Sequence, residues 1–365
     1  MYQKHRMQAP PFLWLFLGTI TTLLTCGLIF VYSASSVYAL ERLGCAHYYA
    51  QKHIIGLILG SICLLIILQL PKFFIKQMAP YGFLFSICLT SLTKIPILSR
   101  TVYGSSRWLH FGPITFQPSE LLKYAFVIYL AYFLSKKEHL YSLDRSISFL
   151  IIVVITSITL LLQPDFGMTI TLCLTGIFMA FIAGLNIKHL GITFSGLIPI
   201  GLILIYIKPY RFKRIMTFLD PWSDPQGAGF QIIQSFIAIG SGKFWGIGIG
   251  QSKQKFFYLP MQHTDFIFSI IAEEIGFAGS FFIITLLILM LYTGLRIALR
   301  QEDLFARYTM YGFLILLSLQ ASINIAVAIG LVPTKGLGLP FVSYGNSSLV
   351  ATLAMLGVVI RLIKP

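Results

Sequence analysis

Charge of either sign is scarce in this sequence, and acidic residues are the scarcest. Asp, Glu, Lys and Arg make up only 11% of the 365 residues, with 12 acids against 27 bases. Soluble domains carry about 25% charged residues, so the composition excludes an ordinary soluble protein. Strict alternation of polar and apolar residues is also missing, and its absence argues against an outer-membrane barrel.

Cysteine is rare as well. The five cysteines form no CxxC pair and show no spacing typical of metal ligands. We therefore predict no metal site and no redox motif from them. Four lie within apolar runs, where a thiol usually acts as a small packing residue.

Long apolar runs dominate what is present. The chain is 57% hydrophobic, its mean hydropathy is +0.83, and runs of about 20 apolar residues recur along it. This pattern predicts an all-α polytopic membrane protein, with residues 1–365 forming a single integral membrane domain. The first run is too long for the core of a signal peptide and is interpreted as a retained helix. Ten spans are predicted, at residues 12–37, 54–70, 78–97, 118–134, 146–163, 167–185, 190–207, 264–295, 308–330 and 345–362.

An even number of spans places both termini on one side of the membrane, which we predict to be the cytoplasm. The 27 basic residues divide about equally between the two faces, and seven of them lie in one long outer loop, residues 208–263, between the seventh and eighth spans. Basic residues on both faces argue against nucleic-acid binding. An anionic or phosphate-bearing lipid explains the basic outer face better.

The long loop opens with a cationic cluster in "KPYRFKRIMTFLDPWSDPQGAGFQ", which includes Arg211 and Arg214. Two interpretations stay open for this cluster: interfacial anchoring by basic and aromatic residues, or a clamp for a phosphorylated lipid. The following "FQIIQSFIAIGSG" has helical spacing and is predicted to lie along the membrane surface. The glycines of "WGIGIGQ" lack the strand and helix of a nucleotide-binding unit and predict a turn.

Three carboxylates stand at the entry to the eighth span, in "YLPMQHTDFIFSIIAEEIGF". Asp265 lies where the loop meets the membrane, and it could cap the helix or act as a general base. Glu273 and Glu274 lie deeper, where an acid must be neutral, paired or hydrated. The favoured interpretation of these two is structural pairing with Arg or Lys on neighbouring helices.

Polar residues also mark three other outer segments. "VYGSSRWLHFGPITFQPSELLK" contains Arg107 and Trp108 on an outer turn, followed by Glu120 and Lys123, which are three residues apart and can pair on one helix face. "LLQPDFGMTI" predicts a tight turn at Asp165. "GLVPTKGLGLPFVSYGNSSLV" is a broken segment that carries Lys335 and Ser343, and such backbone is tolerated near a membrane only where it is buried or lines a wet cavity. All these segments fall on one side, which predicts a shared cavity.

Together these strings resemble the SEDS family, the bacterial shape, elongation, division and sporulation peptidoglycan polymerases. "VYSASS", "QPDFG", "DPWSDPQGAGFQIIQS", "LPMQHTDF" and "PTKGLGLPFVSYGNSS" carry the resemblance in the right order over nearly the whole chain. "PTKGLGLP" and "QSKQKFFYLP" look more like the division type, FtsW, than the elongation type, RodA. The resemblance implies a ten-helix polymerase of the bacterial cytoplasmic (inner) membrane, with lipid II as its substrate.

The resemblance also implies roles for individual residues. The essential aspartate of the family's "HTDF" motif falls on Asp265, predicted as the catalytic base, and the "RW" and "PTKG" motifs fall on Arg107, Trp108 and Lys335. The predicted substrate-binding residues are Arg107, Trp108, Lys335, Arg211, Arg214, Asp165, Glu120, Lys123 and Ser343. No dedicated metal site is predicted, although a divalent cation (Mg or Mn) could arrive with the substrate pyrophosphate. The implied partners are a class B penicillin-binding transpeptidase and other division proteins.

Two positions depart from the family pattern. Met261 replaces a usual glutamate, so that acid cannot be indispensable here. Asn346 replaces a usual glycine and is expected to stiffen the turn before the last helix. Three other functions stay open: a lipid II flippase, an elongation-type polymerase, and a scaffold that only recruits division proteins.

Overall fold

The computed structural model describes most of the chain as helices. The described residues are 11–96, 99–102, 105–111, 114–136, 143–186, 188–189, 191, 195–196, 199, 206, 209–227, 229–255 and 262–363. Within them the helices are α1 (Pro11–Leu43), α2 (Tyr48–Gln69), α3 (Lys72–Ser91), α4 (Pro118–Ser135), α5 (Leu143–Leu162), α6 (Phe166–Ala183), α7 (Pro209–Leu219), α8 (Phe230–Gly242), α9 (Ile267–Leu299), α10 (Leu304–Ala328) and α11 (Asn346–Ile363).

The predicted membrane architecture is confirmed. Eight of the described helices are long and apolar enough to cross a membrane: α1, α2, α3, α5, α6, α9, α10 and α11. A ninth predicted span, at 118–134, is the helix α4, whose Glu120 and Lys123 make it less apolar. The tenth, at 190–207, lies mostly outside the described residues.

The helices divide into a buried group and an outer group. In α11, 67% of the residues in the apolar membrane-spanning stretch are buried inside the protein, compared with 17% in α2. α11 packs against α2 and α4, α10 packs against α4, α6 and α9, and α1 lies along α9. The core side chains of α4 and α10, such as Phe126, Leu130 and Phe313, are fully buried. This central group carries the polar residues of the site, while the outer helices expose apolar side chains, as expected towards lipid.

A small antiparallel sheet precedes α4, and sequence analysis did not predict it. Its strands β1 (Ser99–Val102), β2 (Ser105–Phe111) and β3 (Ile114–Phe116) pair in the order β1-β2-β3. The sequence predicts only an outer turn at this segment, because short strands give a weak periodic signal beside long apolar helices. β2 carries Arg107 and Trp108 to the site.

The long loop is largely structured. α7 is followed by a short 3₁₀ turn, Pro221–Ser223, capped by the Asp220 carboxylate, which accepts from Trp222 N. The predicted helix at "FQIIQSFIAIGSG" is α8, which packs against α9 and α10. The predicted glycine turn is also present, since Gly246, Gly248 and Gly250 all have positive φ.

Helix α9 is interrupted at Gly276, where φ is 66° and ψ is −164°. The segment 243–248 runs against this break: Phe277 N donates to Lys243 O and Ala278 N to Phe244 O. A Cβ at Gly276 would lie 2.3 Å from Gly246 N. The break therefore requires glycine for both its φ and this close approach.

Candidate active site at the outer ends of the central helices

Asp265 lies in the turn just before α9, and its side chain does not cap the helix. The N-cap residue of α9 is Phe266, and no side chain makes the capping hydrogen bond. The capping interpretation of Asp265 is therefore wrong. Among the described residues, no hydrogen bond or salt bridge to the Asp265 carboxylate occurs, which leaves the carboxylate free for chemistry.

Burial and neighbouring charges act on Asp265 in opposite directions. Burial raises the pKa of its carboxyl to about 6, while the charges of Arg214 and Arg107 lower it and the charge of Asp165 raises it. These four side chains, distant in sequence, therefore share one electrostatic environment. A carboxyl with a pKa near neutrality suits general base catalysis.

Arg107 and Asp165 form an ion pair beside this carboxyl. Arg107 Nη1 lies 3.5 Å from Asp165 Oδ2, and Arg107 Nη2 donates to Pro164 O at 2.6 Å. The predicted turn at Asp165 is present, since its carboxylate caps α6 by accepting from Met168 N at 3.1 Å. Burial raises the pKa of Asp165, and the Arg107 charge opposes that rise.

The segment 331–345, between α10 and α11, covers the other side of Asp265. A Cβ added to Gly336 would lie 3.6 Å from Asp265 Oδ2, so the carboxylate lies directly against this backbone. A Cβ added to Gly167, in the first turn of α6, would lie 3.6 Å from Lys335 Cβ. Lys335 therefore lies over the N-terminus of α6, and burial lowers its pKa. Arg214 of α7 holds the same segment by donating from Nη1 to Thr334 O at 2.9 Å.

Glu120 and Lys123 form a buried ion pair deeper in the molecule. Their charged groups lie 2.6 Å apart, and the Lys123 side chain is 0% exposed. Lys123 Nζ also donates to Gln320 Oε1 at 3.3 Å and to Ser348 Oγ at 3.4 Å. The predicted pairing is present, but in this conformation Lys123 contacts protein groups on every side.

Ser343 and Trp108 are the remaining predicted site residues whose side chains the structure describes. Ser343 Oγ donates to Thr264 O at 2.7 Å, and Trp108 is partly buried in β2. The side chain of Arg211 and the whole of Met261 lie outside the described residues. Asn346 is the first residue of α11 and does not have positive φ. Asn346 therefore does not need the left-handed backbone that favours glycine, and its stiffening of the turn before the last helix stays a prediction.

The two deeper acids are structural, though not through arginine or lysine of neighbouring helices as predicted. Glu273 accepts hydrogen bonds from Lys253 N at 3.0 Å and from Ser252 Oγ. Glu274 accepts from Ser33 Oγ of α1 at 2.6 Å and lies 3.9 Å from Lys255 Nζ. Apart from Ser33, these partners belong to the long loop, and the two acids fix that loop against α9.

Sequence reasoning missed two amides on α10 that touch the site. Asn324 Nδ2 donates to Asp265 O at 2.8 Å and to Leu337 O at 2.7 Å, while Gln320 Nε2 donates to Gly338 O at 2.9 Å. A polar pair spaced i, i+4 inside an apolar span was the available signal.

The residues around Asp265 offer few ligands for a metal ion of their own. No group of three or more His, Cys, Asp or Glu side chains suited to a metal occurs within the described ranges. Asp265 and Asp165 supply carboxylate oxygens of the kind Mg²⁺ accepts, and this ion commonly shares its coordination with substrate phosphates. The site is thus compatible with a cation held jointly with a substrate.

Comparisons with known proteins agree over almost the whole chain. A family model for FtsW, RodA and SpoVE proteins, described as "Cell cycle protein", matches residues 13–364. A probable peptidoglycan glycosyltransferase FtsW from Geobacter sp. (strain M18) is 40% identical over 349 residues, 94% of each chain. Stage V sporulation protein E from Bacillus subtilis (strain 168) is 40% identical over 343 residues, 93% of each chain.

Solved structures agree with the sequence comparisons. A chain of a peptidoglycan synthase complex, described as coordinating polymerization and crosslinking, has a TM-score of 0.79 at 30% identity, covering 96% of this chain and 97% of that one. The rod shape determining protein RodA of Thermus thermophilus has a TM-score of 0.72 at 25% identity, covering 96% of both chains. The chain therefore belongs to the FtsW/RodA/SpoVE family of polytopic membrane proteins.

Proposed function

We propose that this protein is a peptidoglycan glycosyltransferase that polymerises lipid II, with Asp265 as the general base. The acceptor sugar's 4-hydroxyl attacks the anomeric carbon of the donor sugar, and a C–O bond forms as the bond to the pyrophosphate oxygen breaks. Asp265 takes the hydroxyl proton, and the electron pair of the broken bond leaves with the undecaprenyl pyrophosphate. One displacement inverts the α-linked donor to a β-linked glycan, so no covalent enzyme intermediate is required.

The observation that carries this proposal is the state of the Asp265 carboxylate. It caps no helix, and within the described residues its oxygens have no hydrogen-bond donor. Its pKa of about 6 allows it to be ionised at neutral pH yet basic enough to take a proton. The names of the relatives, which include peptidoglycan glycosyltransferases, support the same reaction class.

Cationic groups beside Asp265 suit the leaving group. Lys335 lies over the N-terminus of α6, and a helix N-terminus favours negative charge. Arg107 and Arg214 add positive charge within the field that acts on Asp265. Fixed charges of this kind stabilise negative charge that develops in a transition state. We assign Trp108, Asp165 and Ser343 to the lining of this substrate site, and Glu120 and Lys123 to its structural support. Arg211, whose side chain lies outside the described residues, is assigned to substrate binding from its charge and its place in the sequence.

The decisive experiment is polymer formation from purified lipid II by the protein in detergent. Asp265→Asn should lower the rate by about 10²–10⁴-fold, the usual contribution of a general base. The variant should stay folded. The folded-state pKa of about 6 exceeds the ordinary 3.8. Stability is therefore lost as pH rises from about 3.8 to about 6, the whole cost is present above pH 6, and removal of the carboxylate relieves that cost. A wild-type rate from folded Asp265→Asn would contradict the mechanism.

The same assay separates the alternatives. A lipid II flippase would form no polymer in detergent, where there is no second leaflet to cross. A scaffold that only recruits division proteins would tolerate Asp265→Asn and Lys335→Ala in cells.

We further propose a division role for the protein in the cytoplasmic membrane, beside a class B penicillin-binding transpeptidase. An FtsW-named relative supports the division role. A structural neighbour from a peptidoglycan synthase complex supports the transpeptidase partner. Residues 1–365 form one membrane domain, with 208–263 as its extracytoplasmic loop. A divalent cation binds with the substrate pyrophosphate. Depletion in cells should give long filaments without septa, whereas an elongation-type protein would give rounded cells.

A further inference from the structure

Helix α10 presents two buried amides to the backbone that surrounds Asp265. Asn324 and Gln320 are one turn apart, on one face of the helix, and 1% and 5% exposed. Asn324 Nδ2 lies 2.8 Å from Asp265 O and 2.7 Å from Leu337 O. Because carbonyl oxygens only accept hydrogen bonds, the amide nitrogen must face both of them. One side chain thus ties the Asp265 turn to the segment that carries Lys335.

Gln320 makes a second hydrogen bond to the Lys335 segment, and Lys123 fixes the orientation of its amide. Its Nε2 donates to Gly338 O at 2.9 Å, while its Oε1 accepts from Lys123 Nζ at 3.3 Å. An ammonium group only donates, so Lys123 forces the amide oxygen towards itself and the NH₂ group towards Gly338. Lys123 in turn is held by Glu120 at 2.6 Å. The buried ion pair of α4 therefore reaches the Lys335 segment through a single intervening side chain.

The Asn324 amide nitrogen donates to two loop carbonyls, whereas its amide oxygen has no donor among the described residues. Asn324 Oδ1 is buried and has no hydrogen-bond partner within the described part of the chain. A buried unsatisfied acceptor costs free energy, which offsets part of the stability that the two donated hydrogen bonds contribute. From the opposite side Ser343 links the same two segments, accepting from Leu339 N at 2.6 Å and donating to Thr264 O at 2.7 Å.

We propose that Asn324 is a positioning residue that sets the distance between the Asp265 base and the Lys335 ammonium, and that Glu120 and Lys123 act through Gln320 instead of touching substrate. This inference rests on the proposed polymerase activity. The base and the leaving-group cation belong to different loops, and α10 holds both in one frame. Misplacement of a reacting group by about 1 Å can cost about 10²-fold in rate.

The test uses the full-length protein in detergent, with its transpeptidase partner where activity requires it, and measures kcat and KM for lipid II. Asn324→Asp keeps the shape but turns an acceptor towards two carbonyls, and should lower kcat by about 10- to 100-fold with KM changed less than about threefold. Asn324→Ser, which can keep one of the two hydrogen bonds, should fall between Asn324→Asp and the parent. Ser322→Ala, on the exposed side of the same helix, is the control and should match the parent.

A raised KM with unchanged kcat, or parental kcat in both Asn324 variants, would overturn the proposal. If neither variant folds, Gln320→Met tests the hydrogen bond from Gln320 to the Lys335 segment and should also lower kcat selectively.

A double-mutant cycle then tests the role of Lys123. If Lys123 acts through Gln320, Lys123→Met should add little to the loss in kcat caused by Gln320→Met. If the losses in kcat of the two single variants multiply in the double variant, and Lys123→Met also raises KM, then Lys123 binds substrate. Absence of polymer from the unsubstituted protein would instead refute the polymerase itself.

Discussion

Around Asp265, burial and cationic neighbours act on one carboxyl in opposite directions. Removal from water favours its neutral form, while Arg214 and Arg107 favour the ionised form, and the result is a pKa of about 6. Deeper burial without these arginines would leave the group protonated at neutral pH. Full exposure would make it a weak base. The surroundings thus give the residue a basicity that its side chain lacks in water.

This balance predicts a pH dependence of activity. The base works only when ionised, so kcat/KM for lipid II should fall about tenfold for each pH unit below about 6 and level off above it. The measurement is initial polymerisation rate in detergent between pH 5 and 8, with thermal unfolding recorded at each pH to show that the protein stays folded. A flat profile across this range would contradict Asp265 as the titrating base.

At the scale of elements, the break in α9 decides how the long outer loop is attached. Gly276 turns the helix backbone so that Phe277 N and Ala278 N bond to carbonyls of the segment 243–248. Just before the break, Glu273 binds backbone amides of the 252–254 turn. A helix interruption and two acids together fasten a loop that leads into Asp265.

Gly276→Ala should therefore be costly. The new Cβ would meet Gly246 N at 2.3 Å and Phe244 O at 2.6 Å, and φ is positive. Strained backbone of this kind costs about 1–3 kcal/mol, before the clash is counted. The measurement is thermal unfolding in detergent together with polymerisation rate.

Gly240→Ala is the matched control for that variant. Gly240 lies in the regular helix α8, and nothing would lie within 4 Å of an added Cβ. Alanine there should be neutral or stabilise by up to about 1 kcal/mol. Equal destabilisation by the two substitutions would show that the break does not depend on glycine.

At the scale of the whole molecule, the site lies at one end of the helix group. The sheet, the α5–α6 turn, the long loop and the segment 331–345 all meet there, as the contacts of Arg107 and Arg214 show. The proposed substrate is lipid-linked, with its reacting sugars outside the membrane, so the proposed function requires this end of the helices to be extracytoplasmic.

That orientation can be tested by labelling in intact cells. In a variant without the five natural cysteines, a cysteine in place of Ser223 should react with a membrane-impermeant maleimide, because this residue follows α7 in the outer loop and is exposed. A cysteine in place of Gln301, between α9 and α10, should react only after the cells are opened. The reverse pattern would place the termini outside and contradict the predicted topology.

Much of this protein followed from its sequence alone. Apolar runs of bilayer length determined the membrane helices. Backbone N–H and C=O groups in lipid must form hydrogen bonds with each other, and a single apolar run satisfies them by forming an α-helix. Motif order assigned the family, and polar residues at the ends of spans predicted that a site lies at one end of the helices. Short-range signals also found the Asp165 turn and the Glu120–Lys123 pair.

The tertiary structure decided the rest, because those features depend on contacts between distant segments. Asp265 could have capped its helix, and only the fold shows Phe266 at that position. Which segments lie side by side decides three further features: the partners of Glu273 and Glu274, the small sheet before α4, and the contacts of the two α10 amides, Asn324 and Gln320. Hydrophobic periodicity shows which side of each segment is buried. The contacts that bring Asp265, Lys335 and the α10 amides together form between distant segments, and they exist only in the folded chain.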